Sequence, residues 1–117
     1  MKIIVIIPTY KEGNSISRLI DAVEKEFKLI ANHQMSILIV DGNSPDNTIE
    51  IVKNKAGLYS NIDFIIEKEK RGLGMAYITG MNYAIKNLKA DAIIEFDGDF
   101  QHNPADIKRL VAEFDDG

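Results

Sequence analysis

The sequence predicts an α/β fold with a parallel sheet and helices on both of its faces. Four short segments rich in β-branched and aliphatic residues alternate with four longer segments whose apolar residues recur at helical spacing. The first short segment, Lys2–Pro8, is almost continuously apolar, as expected for a strand buried on both faces of a parallel sheet. The connections are short, which favours right-handed crossovers within one sheet. The predicted order is therefore β-α-β-α-β-α-β-α.

The strands are predicted from their apolar, β-branched composition and from the turn residues that bound them. They are expected at Lys2–Pro8, Ser36–Val40, Asp63–Ile66 and Ala92–Phe96.

The helices are predicted from capping residues and from the spacing of apolar side chains. Their expected starts are Asn14 or Ser15, Ser44–Pro45 with proline at the first helical position, Leu73, and Asn103–Pro104. The second helix should end at Gly57 and the third at Leu88. The side chains expected to face the core are Ile16, Leu19, Ile20, Val23, Phe27, Ile49, Val52, Ile78, Met81, Ile85, Leu88, Ile107, Leu110, Val111 and Phe114.

Composition narrows the classes of function. The chain has 117 residues, which suits one domain, and a net charge of −4, which argues against a nucleic-acid surface. It contains no cysteine, so disulfides, thiolate metal sites and a cysteine nucleophile are excluded, and a reducing compartment fits. No apolar run reaches the ~18–20 residues that a membrane-spanning helix needs. The apolar start is interpreted as a strand rather than a signal peptide, because no small-residue cleavage site follows.

The unusual polar residues follow the predicted strands. In an open α/β sheet, ligands bind outside the carboxyl ends of the strands. The four loops at that edge are Pro8–Glu12, Asp41–Asp46, Glu67–Gly74 and Asp97–His102. The sequence therefore predicts one ligand site at this edge of the sheet.

Asp97-Gly98-Asp99 is the most informative of these segments. Residues two apart in extended backbone point the same way, so both carboxylates can face one ligand, and Gly98 lets the backbone approach it. Neighbouring carboxylates repel unless a cation relieves them, and hard oxygen ligands beside a phosphate suit Mg²⁺ or Mn²⁺. Gln101 could add a neutral oxygen. The alternative is a solvated acidic turn that caps the next helix.

Two other loops have a functional and a plain interpretation. Tyr10 offers a stacking face for a base and Glu12 an acceptor for base or ribose, yet the same residues could simply end a strand and start a helix. Lys70–Gly74 pairs two cations with two glycines and could receive phosphate, or it could be a flexible turn. It matches neither the dinucleotide-binding fingerprint nor the P-loop.

Four ordered motifs together carry a resemblance to family-2 glycosyltransferases. Val5–Glu12 resembles the family opening Val-Ile-Pro-Thr-Tyr-Asn-Glu, and Val40–Thr48 is similar to Val-Asp-Asp-x-Ser-x-Asp-x-Thr. Gly72–Gly80 resembles the signature of the polyprenyl-phosphate (dolichyl-phosphate) mannosyltransferases in particular. Glu95–Pro104 resembles Asp-Ala-Asp-Leu-Gln/Ser-His-x-Pro. Each motif is weak by itself, and their order along nearly the whole chain makes the set specific.

The resemblance implies the Rossmann-like, nucleotide-binding half of a GT-A fold and a metal-dependent, inverting transfer. The donor would be a nucleoside diphosphate sugar, GDP-mannose or UDP-hexose, the acceptor a polyprenyl or dolichyl phosphate, and the metal Mg²⁺ or Mn²⁺. The residues implied at the nucleotide-sugar site are Pro8, Tyr10, Glu12, Val40, Asp41, Gly42, Asp97, Gly98 and Asp99. Asp97 and Asp99 are the implied catalytic residues, and Asp99 and Gln101 the implied metal ligands.

Two departures from the family pattern shape the expectations. Gly42 stands where the family usually has a second Asp, which commonly contacts the base, so Asp41 or Asn43 would have to compensate. The family's catalytic domains are also longer than this chain. We therefore expect residues 1–117 to form a single nucleotide-sugar-binding domain that lacks the acceptor-binding half and is inactive by itself.

Further expectations concern association and location. The exposed edge of the fourth strand is expected to support a homodimer. The full-length protein is expected in the cytoplasm, at the cytoplasmic face of the membrane. Two alternatives stay open: a non-catalytic nucleotide-binding fragment, and a pyrophosphorylase-type nucleotidyltransferase. The second would need a glycine- and lysine/arginine-rich loop after the first strand, which Thr9–Gly13 matches poorly.

Overall fold

The structure is a computed structural model that describes residues 1–96 and 103–116. Strands and helices alternate along the whole described chain, as the sequence predicts. The elements are β1 (Lys2–Thr9), α1 (Ile16–Phe27), β2 (Gln34–Asp41), α2 (Thr48–Leu58), β3 (Ile62–Ile66), α3 (Leu73–Lys86), β4 (Ala92–Glu95) and α4 (Ala105–Asp116).

The four strands form one parallel sheet in the order β3-β2-β1-β4. β1 and β2 occupy the centre and are buried along nearly their whole length, because both faces of the sheet are covered there. Side chains alternate between the faces along β1, so Ile3, Val5 and Ile7 join one core cluster while Ile4 and Ile6 join the other. The prediction of a parallel sheet with helices on both faces is confirmed.

The helix α1 begins after Ser15 and buries every residue that the sequence assigned to its inner face. The helix α2 begins later than predicted, at Thr48, with Asn47 at the N-cap. Ser44 does not cap it, because its hydroxyl donates to Asp41 and accepts from the backbone of Lys11. The prediction for Gly57 was also wrong, since α2 continues through it to Leu58.

The inner face of α3 was predicted correctly only in part. Met81 and Leu88 are partly buried and pack against the core, as predicted, whereas Ile78 and Ile85 are 48% and 56% exposed. The buried residues of this helix are Ala76, Gly80 and Ala84. These three small residues lie four apart on one helical face, so the helix axis can approach the sheet closely. A Cβ on Gly80 would lie 2.8 Å from Ile6 Cγ2.

The last two elements differ from prediction in smaller ways. β4 ends at Glu95 rather than Phe96, although the amide of Phe96 still donates to the carbonyl of Ile6. In α4, Ile107 and Val111 are buried as predicted, while Leu110 and Phe114 are exposed. No helix within the described ranges is both long and apolar enough to cross a membrane.

Candidate functional site

The carboxyl ends of β1, β2 and β3 meet at one edge of the sheet. Thr9 is paired in register with Asp41, and Asp41 with Ile66, so the loops after these strands start side by side. They surround a cavity of about 330 Å³. Its lining residues are Pro8, Thr9, Tyr10, Glu12, Val40, Gly42, Glu67, Lys70, Gly72, Leu73 and Ala76. The structure thus brings together five of the predicted site residues, Pro8, Tyr10, Glu12, Val40 and Gly42.

Asp41 holds the first two loops together. It is 2% exposed, and its Oδ1 accepts hydrogen bonds from Thr9 Oγ1 at 2.6 Å and from Ser44 Oγ at 2.8 Å. Its Oδ2 accepts from the amide of Ser44 at 2.7 Å. Both carboxylate oxygens are therefore engaged inside the protein, and Asp41 lies beneath the cavity wall rather than in it. Its predicted role in substrate binding stays a prediction.

Asn43, the other residue considered as a substitute for the family's second Asp, is also engaged within the protein. Its side-chain amide donates to the carbonyl of Lys68 at 3.1 Å, and its backbone has a φ of +63°. An Asn tolerates this left-handed conformation better than most residues do. The side chain of Asn43 therefore ties the loop after β2 to the loop after β3.

Glu12 is positioned by the start of α2. Its backbone amide donates to Thr48 Oγ1 at 2.9 Å, and its carbonyl accepts from the amides that open α1. Asp46 binds the Thr48 hydroxyl, the Thr48 amide and the Gly13 amide, and these hydrogen bonds, the hydroxyl's first, lower the pKa of the Asp46 carboxyl. The loop that carries Glu12 is thus fastened to the loop after β2 independently of any ligand.

Two lysine ammonium groups lie close to the ring of Tyr10. The Lys70 ammonium is 4.6 Å from the centroid of the Tyr10 ring, and the Lys11 ammonium is 5.4 Å from it. Both distances are within the range of cation–π attraction. The ring predicted to stack on a base is therefore placed at the cavity next to positive charge that would favour an anionic ligand.

Glu67 is a cavity residue that the sequence analysis did not identify. Its side chain is 4% exposed, and its Oε2 accepts from Arg71 Nη2 at 3.1 Å. The backbone amide of Glu67 donates to the carbonyl of Asp41 at 2.8 Å, which continues the sheet pairing past the end of β3. The signal in the sequence was its position. Glu67 directly follows the third predicted strand, as Thr9 and Asp41 directly follow the first and second predicted strands.

The start of α3 also lines the cavity. Gly72 is the N-cap residue, with a φ of +94° that a side chain would disfavour. Among the residues that the structure describes, no side chain caps this end of the helix. The first amides of a helix attract anions because their N–H groups lack intrahelical acceptors. Lys70 and the α3 N-terminus together make this wall of the cavity electropositive.

The predicted residues of the last loop, Asp97, Gly98, Asp99 and Gln101, lie outside the described residues. Within the described part of the chain, no group of three acidic or histidine side chains is arranged to hold a metal ion. The predicted metal ligands and catalytic carboxylates therefore stay predictions from sequence.

Two named relatives align with this chain over nearly its whole length or all of it. Undecaprenyl-phosphate mannosyltransferase of Micrococcus luteus is 32% identical over 115 residues, which is 95% of this chain and 43% of that protein. Dolichol-phosphate mannosyltransferase of Pyrococcus furiosus is 31% identical over 117 residues, 100% of this chain and 31% of that protein. The chain spans less than half the length of these relatives.

Solved structures show the same architecture. The mannosyltransferase PcManGT from Pyrobaculum calidifontis, in complex with GDP-Man and Mn²⁺, superimposes with a TM-score of 0.60 at 26% identity, over 70% of this chain and 24% of that one. TarS residues 1–349 from S. aureus, in complex with UDP-GlcNAc, gives a TM-score of 0.73 at 22% identity, over 99% of this chain and 32% of that one, and shows the fold alone.

The family model for glycosyl transferase family 2 matches residues 4–117. This range includes all eight elements of the fold except the first two residues of β1. The chain belongs to glycosyl transferase family 2.

Proposed function

We propose that this chain is the donor-binding region of a glycosyltransferase that passes a hexose from a nucleoside diphosphate sugar to a polyprenyl phosphate. The observation that carries the proposal is the cavity at the carboxyl ends of β1, β2 and β3, where the ring of Tyr10, two carboxylates and the Lys70 ammonium line one space. Such a mixture suits a nucleotide, which combines an apolar base, hydrogen-bonding edges and anionic phosphates. Membership in glycosyl transferase family 2 supports the reaction class.

We infer that the sugar is mannose, which two named relatives and one solved structure support. The two relatives described above are named as mannosyltransferases that act on undecaprenyl phosphate and dolichol phosphate. The PcManGT structure holds GDP-Man together with Mn²⁺. We infer a GDP-mannose donor and a polyprenyl-phosphate acceptor for the whole protein.

The chemistry of the last loop supports a divalent metal. Asp99 and Gln101 offer carboxylate and amide oxygens, which are the hard ligands that Mg²⁺ and Mn²⁺ prefer. When bound, the metal would neutralise charge on the departing nucleoside diphosphate.

The proposed transfer is a single displacement with inversion. An oxygen of the acceptor phosphate forms a bond to the anomeric carbon while the bond from that carbon to the nucleoside diphosphate breaks. The acceptor oxygen is already anionic, so no general base has to remove a proton from it. The residues of this chain would bind and orient the donor, which is where positioning contributes to the rate.

Calorimetric titration of GDP and UDP, with Mn²⁺ and with a chelator, tests the donor site. We expect Mn²⁺ to raise the affinity, because otherwise the diphosphate would face two uncompensated carboxylates. Asp99→Ala should remove the metal effect, while Asp106→Ala, a matched change at a half-exposed position of α4, should keep it. Equal affinities with Mn²⁺ and with chelator would contradict the metal assignment.

A second candidate is a nucleotide-binding module without turnover. The chain spans less than half of its named relatives, and transfer requires donor and acceptor to be held together. We expect the 117-residue chain to bind GDP and to transfer no mannose to a polyprenyl phosphate. Transfer by this chain by itself would show that the acceptor site lies within these residues.

A further inference from the structure

Glu67 has a position that no motif of the sequence explains. It follows β3 directly, its backbone is paired with Asp41, and its side chain lines the cavity while being 4% exposed. Carboxylates are costly to bury unless hydrogen bonds compensate for the lost water. A nearly buried carboxylate at a ligand cavity therefore calls for a partner.

Among the described residues, the hydrogen bond to the Glu67 carboxylate comes from Arg71 and reaches one of its two oxygens. Arg71 Nη2 donates to Oε2 at 3.1 Å, and the Arg71 side chain is itself half exposed. Within residues 1–96 and 103–116, no hydrogen bond reaches Oε1 of Glu67. A carboxylate has about four acceptor positions, so Glu67 retains acceptor capacity toward the cavity.

Gly42, on the neighbouring wall, has no side chain that could compete for a ligand. A Cβ at Gly42 would lie 3.3 Å from Tyr10 Cδ1, which is tighter than most Cβ contacts, and 3.4 Å from Lys70 Cβ, which is an ordinary contact. The carboxylate at this part of the cavity comes instead from Glu67, directly after the adjacent strand β3.

We propose that Glu67 selects the nucleobase and that the base it selects is guanine. This inference rests on the proposed donor site. Guanine presents two adjacent donors, N1–H and the N2 amino group, to the two oxygens of one carboxylate. Uracil presents one N–H between two carbonyls, and adenine and cytosine turn a ring nitrogen acceptor toward the carboxylate. A site built to receive particular donors discriminates strongly against a ligand that lacks them, because its buried polar atoms are then left unpaired.

The first test compares nucleotides on the unmodified chain in the presence of Mn²⁺. Inosine diphosphate keeps N1–H and O6 but lacks the N2 amino group, so it removes one donor and changes nothing else. Hydrogen bonds to charged groups correspond to about tenfold to a hundredfold in affinity. GDP should therefore bind about tenfold or more tightly than inosine diphosphate, and ADP should bind more weakly than both.

The second test repeats the titrations on Glu67→Gln, which keeps the shape of the side chain and replaces one acceptor oxygen by a donor. GDP should then lose its advantage over inosine diphosphate. Glu69→Gln, an exposed change in the same loop, is the matched control and should leave the GDP advantage unchanged.

The outcomes separate the two proposals. If the unmodified chain binds neither GDP nor UDP, the donor site itself is wrong. If GDP binds but inosine diphosphate binds equally well, or if Glu67→Gln keeps the full GDP advantage, the assignment of Glu67 is wrong while the donor site stands. The nucleotide comparison needs no substitution, so it decides the question even if Glu67→Gln fails to fold.

Discussion

The two faces of the sheet are built differently. On one face, α1, α2 and α4 cover the strands, and large aliphatic side chains such as Leu19 and Ile20 fill the space between them. On the other face, α3 packs against β1 and β2 through Ala76, Gly80 and Ala84. Large side chains make a thick core, whereas small ones bring a helix close to the strands and leave its larger residues outside. We call these the thick face and the thin face.

The thin face and the sheet edge at β4 keep apolar surface exposed. On the thin face, Ile78 and Ile85 of α3 are about half exposed. At the edge, an open groove of about 470 Å³ lies beside β4. Its lining includes Met81 of α3 together with Leu110 and Phe114 of α4. Among the described strands, β4 pairs on one side with β1 and has no neighbour on the other. The homodimer expected from the sequence would use this edge.

Truncating a core side chain should distinguish the thick face from the outer side of α3 most clearly. Leu19→Ala should lower the free energy of unfolding by about 2–5 kcal/mol, because it opens a cavity in a fully buried cluster. Ile85→Ala removes a comparable side chain that is 56% exposed and should change stability by less than about 0.5 kcal/mol. Urea denaturation measures both. Similar losses at the two positions would mean that the outer side of α3 is covered in solution.

Adding a methyl group tests how close α3 lies to the sheet. Gly80→Ala should cost about 1–3 kcal/mol, because the new Cβ would lie 2.8 Å from Ile6 Cγ2 and 3.1 Å from Val40 Cγ2. Gly57→Ala is the matched control in α2, where a Cβ would meet no atom of the described residues within 4 Å. This change should stabilise the helix by about 0.5–1 kcal/mol. Thermal unfolding of the two variants gives the comparison. A stabilising Gly80→Ala would contradict the close approach of α3.

The thick face contains a buried carboxylate, Glu24, whose hydrogen bonding is incomplete among the described residues. Its Oε1 accepts from Asn61 Nδ2 at 2.9 Å, while Oε2 is buried and has no hydrogen-bond partner among residues 1–96 and 103–116. Burial raises the pKa of the Glu24 carboxyl, against the opposing effects of Asn61 and Lys28. The folded state therefore holds this proton more tightly than the unfolded state, so stability should fall as pH rises from about 4.5 through the raised pKa.

Replacing Glu24 by Gln removes the carboxyl group and, with it, the pH dependence of stability that this group causes. Glu24→Gln should be more stable than the unmodified chain at pH 7, by up to about 1 kcal/mol, and the difference should shrink as the pH approaches 4.5. Chemical denaturation across this pH range measures it. A difference that grows toward low pH would mean that the carboxylate is stabilised, not destabilised, by its surroundings.

Much of the fold was predictable because its signals are local. β1 and β2 are continuous apolar runs, and α1 carries its large apolar residues on one face, so their burial followed from pattern alone. The inner face of α3 was predicted only in part because apolar residues lie on more than one side of this helix, and the side buried against the sheet is the one with small residues. Which stripe packs depends on how near the helix lies to Ile6 and Val40, a tertiary distance that periodicity does not contain.

The candidate site was predictable in position and less so in detail. Loops after parallel strands meet at one edge, which located Tyr10, Glu12 and Gly42. Glu67 belongs to no motif, and its burial depends on pairing between its backbone and that of Asp41. Asp41 belongs to a family motif, yet its carboxylate is hydrogen-bonded within the protein. Predicting this would have required knowing where Thr9 and Ser44 lie relative to Asp41.

The most direct test of the donor site is to map where a nucleotide binds by amide NMR. Titration of the ¹⁵N-labelled chain with GDP and Mg²⁺, which is diamagnetic, should shift the amides of Tyr10, Gly42, Glu67 and Gly72, since all four residues line the cavity at the ends of β1, β2 and β3. The amides of Met81, Leu110 and Phe114 in the apolar groove should stay in place. Shifts confined to that groove, or no shifts at a saturating concentration of GDP, would contradict the assignment of this cavity as the nucleotide site.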